Sequence, residues 1–209
     1  MENYISIAHA AESEIEIKKS VFIGNSEIVK TKEEAEDFIA SIRAKHPDAR
    51  HICFAYLLRS GGISRISDDG EPQGTAGLPM LESIKKAGVC DVAVTVTRYF
   101  GGILLGAAGL CRAYTSACAE AIKLGGICEY APFEKISVCC EYGDYPKIEN
   151  ATKKLGARVS APVFENNVRF ELFIESEKAE RLISEITDIS AARAKTEKLG
   201  EEMRQAQLA

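Results

Sequence analysis

The sequence predicts an α+β protein of two domains, residues 1–132 and 133–209. Three observations carry this reading. Strand-like and helix-like rhythms alternate through both halves. The second half reads β-α-β-β-α-β, the split βαβ plan of a ferredoxin-like domain. Glycine, proline and a change of rhythm meet at "LGGICEYAP", residues 124–132, which places the boundary.

The first domain begins with alternating apolar and polar residues from Glu14 to Val29, around a "GNS" turn. This is a strand pair or one long bent strand. "TKEEAEDFIASIRAKHP" follows as an amphipathic helix, with Thr31 as N-cap and Glu34 completing a capping box. Ala35, Phe38, Ile39 and Ile42 form its apolar stripe, and Pro47 ends it. "RHICFAYLLR" is a strand, "SGGIS" a glycine turn and "RIS" a short strand. The next helix, "LPMLESIKKAG", starts near Pro79 and stops at Gly88. Asp91 to Thr97 is apolar, β-branched and too short for a two-faced helix, so it reads as a buried strand. From Leu110 the apolar positions Ala113, Tyr114, Ala117, Cys118, Ala121 and Ile122 fall at helical spacing. The order β-β-α-β-β-α-β-α suggests a mixed sheet with helices on one face.

In the second domain "FEKISVCCEY", "ARVSAPVF", "VRFELFIES" and "AARAKTEKL" are the strands. "GDYPKIENATKKLG" and "EKAERLISEITDI" are the helices, and Asn166-Asn167 marks the turn between the central strands. The tail from Glu201 onward reads as frayed.

Eight of the sixteen glycines lie between Ser67 and Tyr114, seven of them in two loops. The first loop is acidic: Asp68, Asp69 and Glu71 precede Gly74, Thr75 and Gly77. Clustered carboxylates suit a hard cation such as Mg2+, or supply a general base. The same residues equally make an exposed turn, or a structural ion pair with Arg98. The second loop follows a strand and precedes a helix, with Arg98, Tyr99, Gly101, Gly102, Gly106, Gly109 and Arg112 in sequence. A helix N-terminus aimed at such a loop favours an anion, and the two arginines add fixed charge. The spacing matches neither a P-loop nor a dinucleotide fingerprint. No nucleophile-base pair can be named, so no catalytic residue is assigned.

"SDDGEPQGTAGLP" (residues 67–79) and "VTRYFGGILLGAAGLCRAY" (residues 96–114), with "EIEIKKSVFIG" and "IRAKHPDARHICFAYLL" before them, resemble the signature of the Impact/YigZ family. The resemblance covers the first domain nearly end to end. It implies a fold like the second domain of a small-subunit ribosomal protein and domain four of elongation factor G, with a left-handed crossover. It also implies a second, ferredoxin-like domain similar to domain five of elongation factor G, as in the bacterial YigZ branch. Ala108 stands where the family usually carries glycine, an expected source of strain if that position needs positive φ.

Composition bounds the function. With 46% hydrophobic and 27% charged residues the chain has apolar content for a core in each half. The net charge of −5 is spread as an excess of three acids in residues 1–132 and two in 133–209. Bulk positive charge therefore holds it to no nucleic acid. A basic patch would be assembled in space, for example from Arg98 and Arg112 with Lys85 and Lys86. The seven cysteines form no CxxC spacing and read as small buried hydrophobes in a reducing compartment. His9, His46 and His51 lack ligand spacing, which argues against zinc and against a metallopeptidase. No secretory signal and no apolar run of about 20 residues is visible, so a cytoplasmic protein without a membrane partner is expected.

Two functions follow. The first is non-enzymatic binding of structured RNA, the ribosome or a ribosome-associated protein, in translation or its stress regulation, without DNA sequence specificity. The alternative is a magnesium-dependent hydrolase acting on a phosphate-bearing substrate. There Asp68, Asp69 or Glu71 would hold the metal or act as base, and Arg98 would stabilise developing charge.

Overall fold

In the computed structural model the described residues are 1–206. They form two compact units, Tyr4–Glu129 and the segment from Tyr130 onward with Met1–Asn3. The chain passes from one to the other inside strand β7 (Ile127–Cys140).

The first unit is built on a five-strand sheet in the order β2-β3-β6-β4-β5. Its strands are β2 (Ala11–Ile17), β3 (Ser20–Ile28), β4 (His51–Leu57), β5 (Ser64–Ser67) and β6 (Val92–Tyr99). Every neighbouring pair is antiparallel. The sheet is therefore antiparallel throughout and not mixed as expected, since only second neighbours run in the same direction, as they do in any antiparallel sheet. An additional strand, β1 (Tyr4–Ile7), precedes the sheet. Its residue Ile5 accepts the backbone N–H of Cys90 at 2.9 Å.

Helices cover both faces of the sheet, whereas the sequence suggested one. β6 is buried along nearly its whole length. Val92, Val94 and Val96 pack against α2 (Gly77–Ala87) and α3 (Ala107–Leu124). Ala93 packs on the opposite side with Ala35 and Ile39 of α1 (Lys32–Lys45). A central strand that is apolar on both sides needs a cover on both sides. Thr31 caps α1 as read, its Oγ1 accepting the Glu34 N–H at 3.1 Å, but the Glu34 carboxylate takes the Lys30 N–H at 2.6 Å, one residue before the N–H a capping box would use. The seven apolar α3 positions named from the sequence are the seven buried ones.

The first hairpin turns at Lys18-Lys19, both at positive φ, not at "GNS". Gly24 lies inside β3, because a Cβ there would sit 2.7 Å from the Ala117 carbonyl oxygen of α3. Close helix approach, not chain reversal, explains this glycine.

In the second unit β11 and β10 both pair with β7, and β8 pairs with β10, giving the local order β11-β7-β10-β8. These strands are β8 (Arg158–Val159), β10 (Val168–Glu175) and β11 (Lys195–Gln205), with β9 (Val163–Phe164) also on β10. This is the order of the split βαβ plan. Helices α4 (Tyr145–Lys154) and α5 (Ser176–Ile189) bury Ile148, Leu182 and Ile186 against Ile136, Val138 and Leu172. β11 continues to Gln205, paired through Glu201–Gln205 with Tyr130–Glu134, so these residues are not frayed. The rest of that expectation, residues 207–209, lies outside the described residues.

Candidate functional site

The acidic loop follows β5, and each of its carboxylates is taken by a different part of the first unit. Asp68 accepts the backbone N–H groups of Gly74 (2.8 Å), Ala76 (3.0 Å) and Gly77 (2.8 Å). It therefore sits on the start of α2 as an internal anion. Burial pushes its carboxyl up, but these three bonds outweigh that and hold it below the usual range. Asp69 takes a two-pronged bond from Arg43 of α1 (2.8 and 3.3 Å) and the Ile52 N–H of β4 (2.7 Å). Burial opposes ionisation here as well, and the Arg43 bond with the Ile52 N–H leaves the carboxyl lowered.

Glu71 is buried and faces β6 and α3. Its Oε1 accepts from Arg98 Nη1 at 2.6 Å and from the Tyr114 hydroxyl at 2.9 Å. Burial drives the Tyr114 hydroxyl well above its ordinary value, with Cys53 and Glu71 adding to the shift, so it stays a donor. Cys53, pushed up to about 12 chiefly by burial, points its thiol at the Asp68 carbonyl at 3.0 Å. Arg98 lies 5.5 Å from the ring centres of both Phe22 and Phe100.

A concavity of about 690 Å³ opens where β4 and β6 meet the second glycine loop. Asp48, Arg50, His51, Arg98, Tyr99, Phe100 and Leu104 line it. Arg50 is exposed and makes no ion pair among the described residues. Phe100 is 54% exposed and Leu104 82%, an aromatic and an aliphatic side chain presented beside that charge. His51 donates Nδ1–H to the Asp69 carbonyl at 2.8 Å, which leaves Nε2 free to meet a ligand. His46 Nδ1 and the Tyr99 hydroxyl are 2.9 Å apart and fix that phenol. The loop itself approaches the first hairpin closely: a Cβ on Gly101 would lie 2.0 Å from the Lys19 carbonyl. α3 starts at Gly106, which provides no side-chain cap, whereas α2 is capped by Asp68.

The expected site residues therefore separate. Arg98, Tyr99, Gly101, Gly102 and Gly106 gather at the concavity and its loop. Gly74 and Gly77, with Ala76, form an anion cradle that the chain's own Asp68 occupies, whereas Thr75 gives both its N–H (3.0 Å) and its hydroxyl (2.6 Å) to the Pro72 carbonyl. Gly109 is inside α3, and Arg112 is exposed on that helix outside the lining of the concavity. Lys85 and Lys86 end α2, which feeds the start of β6, while Arg98 stands near its end. Six strand residues, roughly 20 Å, separate those positions, so the four cations make no single patch. Asp68, Asp69 and Glu71 diverge, and among the described residues no three His, Cys, Asp or Glu side chains gather in a geometry that could hold a metal ion. Ala108 is helical and not at positive φ, so it carries no strain. Sequence reading missed Arg43, Arg50, His46 and Tyr114. The partners of Arg43, His46 and Tyr114 lie 26 to 53 residues away, and no local spacing signals them; Arg50 is marked only by its place on the concavity.

Residues 18–122 match the model of the Impact N-terminal domain, and residues 138–193 match a domain of unknown function, DUF1949. The chain is 37% identical over 191 residues to IMPACT family member YvyE of Bacillus subtilis, covering 91% of this chain and 88% of the relative. It is 33% identical over 193 residues to IMPACT family member YigZ of Escherichia coli, covering 91% and 95%. A crystal structure of a hypothetical protein superposes with a TM-score of 0.61 at 32% identity, covering 94% of this chain and 97% of the other.

Proposed function

The chain belongs to the IMPACT family, and from that premise we propose that it is a non-enzymatic, cytoplasmic RNA-binding protein acting in translation or its stress regulation. The concavity at the β4–β6 end of the first unit is the binding surface. One observation carries the reading: Arg50, exposed and without an ion pair among the described residues, lines the same concavity as the exposed Phe100. A free guanidinium takes a phosphate, and an open aromatic face takes a base. The overall charge of −5 opposes such a ligand at long range, so affinity comes from this local surface. The ribosome, or a protein associated with it, is the setting in which that RNA is met. No helix among the described residues is long and apolar enough to cross a membrane.

The magnesium-dependent hydrolase finds less support. Its carboxylates are engaged by Arg43, Arg98 and backbone N–H groups, and cation binding would have to break those bonds. Capture from native lysate, with and without RNase treatment, tests the reading. Recovery of RNA or ribosomal proteins that RNase abolishes supports it; an RNase-insensitive set of partners counts against it.

A further inference from the structure

The concavity at the β4–β6 end carries an exposed carboxylate, Asp48, beside Arg50, His51 and Phe100. A carboxylate repels phosphate, so Asp48 weakens the hold on any polyanion unless another part of the ligand meets it. The cations of the concavity leave it unmatched. Arg98 is committed to Glu71 at 2.6 Å, and neither Asp48 nor Arg50 has an ion-pair or side-chain hydrogen-bond partner among the described residues.

The sheet brings Asp48 beside the stacking surface. β4 and β6 are antiparallel neighbours whose last pair at this end is His51 with Arg98. Beyond it the two chains leave the sheet side by side, Asp48–Arg50 leading into β4 and Phe100 following β6. Adjacent strands run about 5 Å apart, which sets the carboxylate next to a base laid on the Phe100 ring.

The unengaged groups state what the ligand must offer. Asp48 only accepts. His51 gives its Nδ1–H to the Asp69 carbonyl at 2.8 Å, so Nε2 of the neutral ring accepts as well. Arg50 donates, and a phosphate takes that bond. A base that fits must therefore turn donors toward Asp48. On their pairing edges adenine, cytosine and uracil each set a single donor beside an acceptor, which would face the carboxylate lone pairs. Guanine alone has two donors in a row, N1–H and the N2 amino group, matching both oxygens of one carboxylate.

We propose that the concavity selects guanine, with the pairing edge of the base on Asp48, its face on Phe100 and a neighbouring phosphate on Arg50. The inference rests on the RNA reading above and adds a base to it. Asp48 acts as a filter: it disfavours RNA in general and is compensated where a guanine supplies the two hydrogen bonds.

The test titrates the full-length protein against three short labelled RNAs: an all-uridine oligomer, the same oligomer with a central guanosine, and one with inosine in that place, which lacks the N2 amino group. The guanosine oligomer binds at least about tenfold tighter than the all-uridine one, and inosine loses most of that gain. Asp48→Ala abolishes the preference and leaves all-uridine binding unchanged or tighter, because the repulsion goes with the carboxylate. Asp48 is exposed, so the variant keeps the thermal unfolding of the parent. Equal affinity for the three RNAs, inosine bound as tightly as guanosine, or a guanosine preference that survives Asp48→Ala overturns the guanine assignment while RNA binding stands. So does an Asp48→Ala variant that binds all three RNAs more weakly by the same factor. Absence of RNA binding to the parent at low salt overturns the RNA reading and this inference with it.

Discussion

Arg98 of β6 and Glu71 of the acidic loop form a buried ion pair, Nη1 to Oε1 at 2.6 Å, with side chains 8% and 3% exposed. The pair ties the two glycine-bearing segments together, and it occupies the cation that the sequence offers most plainly to a ligand. Removing one member leaves a charge buried without its counterpart. Glu71→Gln should therefore cost about 3–5 kcal/mol of folding stability in urea denaturation. The double variant Glu71→Leu with Arg98→Met should cost less than the sum of its parts, because no lone charge remains.

Asp68 makes stability depend on acid. Its folded carboxyl is held below the ordinary value, so its contribution is present above the ordinary carboxylate range and lost as pH falls through the depressed value. Asp68→Ala should lose about 1–2 kcal/mol at neutral pH, the scale of a helix cap. Melting temperatures of parent and variant should converge below about pH 4, since only the parent has this carboxylate to protonate. A gap that stays constant down to pH 2 contradicts the assignment.

Gly101 sets where the second loop sits against the first hairpin. An added methyl meets Lys19 backbone at 2.0 Å, which no side-chain rotation relieves. Gly101→Ala should lose about 1–3 kcal/mol and move amide resonances at Lys18-Lys19 as well as in the loop. Gly102→Ala is the comparison, because there the penalty is one of positive φ with open space around it.

None of the seven cysteines is in a disulfide among the described residues, and they should not react alike. Burial raises Cys53 and Cys118 to about 12, which makes their thiolate fraction negligible at pH 8. A thiol reagent should modify both only as fast as the protein unfolds, ahead of which the half-buried Cys90, Cys111, Cys128 and Cys139 react. Fast labelling of Cys53 in the native state would contradict the buried network around Glu71.

What could be read from the chain was local. The α3 stripe, the Thr31 cap, the Gly88 stop and the order of the second unit all arise from residues within a turn or a strand of each other. The hairpin turn escaped because Lys18-Lys19 carries no glycine or asparagine to announce positive φ. The second covered face escaped because a strand's apolar run does not say how many helices it meets. At the site, the loops were legible as glycine-rich and charged, but the pairing was not. Arg43 finds Asp69 across 26 positions and Tyr114 finds Glu71 across 43, relations that only the folded chain creates.

The central claim is that the concavity beside Arg50 and Phe100 receives RNA, and fluorescence polarisation with labelled single-stranded and hairpin RNAs tests it most directly. We predict binding to the parent, a salt slope near −1 as expected for about one phosphate contact, and at least about tenfold weakening in Arg50→Glu and in Phe100→Ala. Thermal unfolding of both variants should match the parent, since both side chains are exposed. RNA affinity unchanged by both substitutions, or no RNA binding by the parent at low salt, would contradict it.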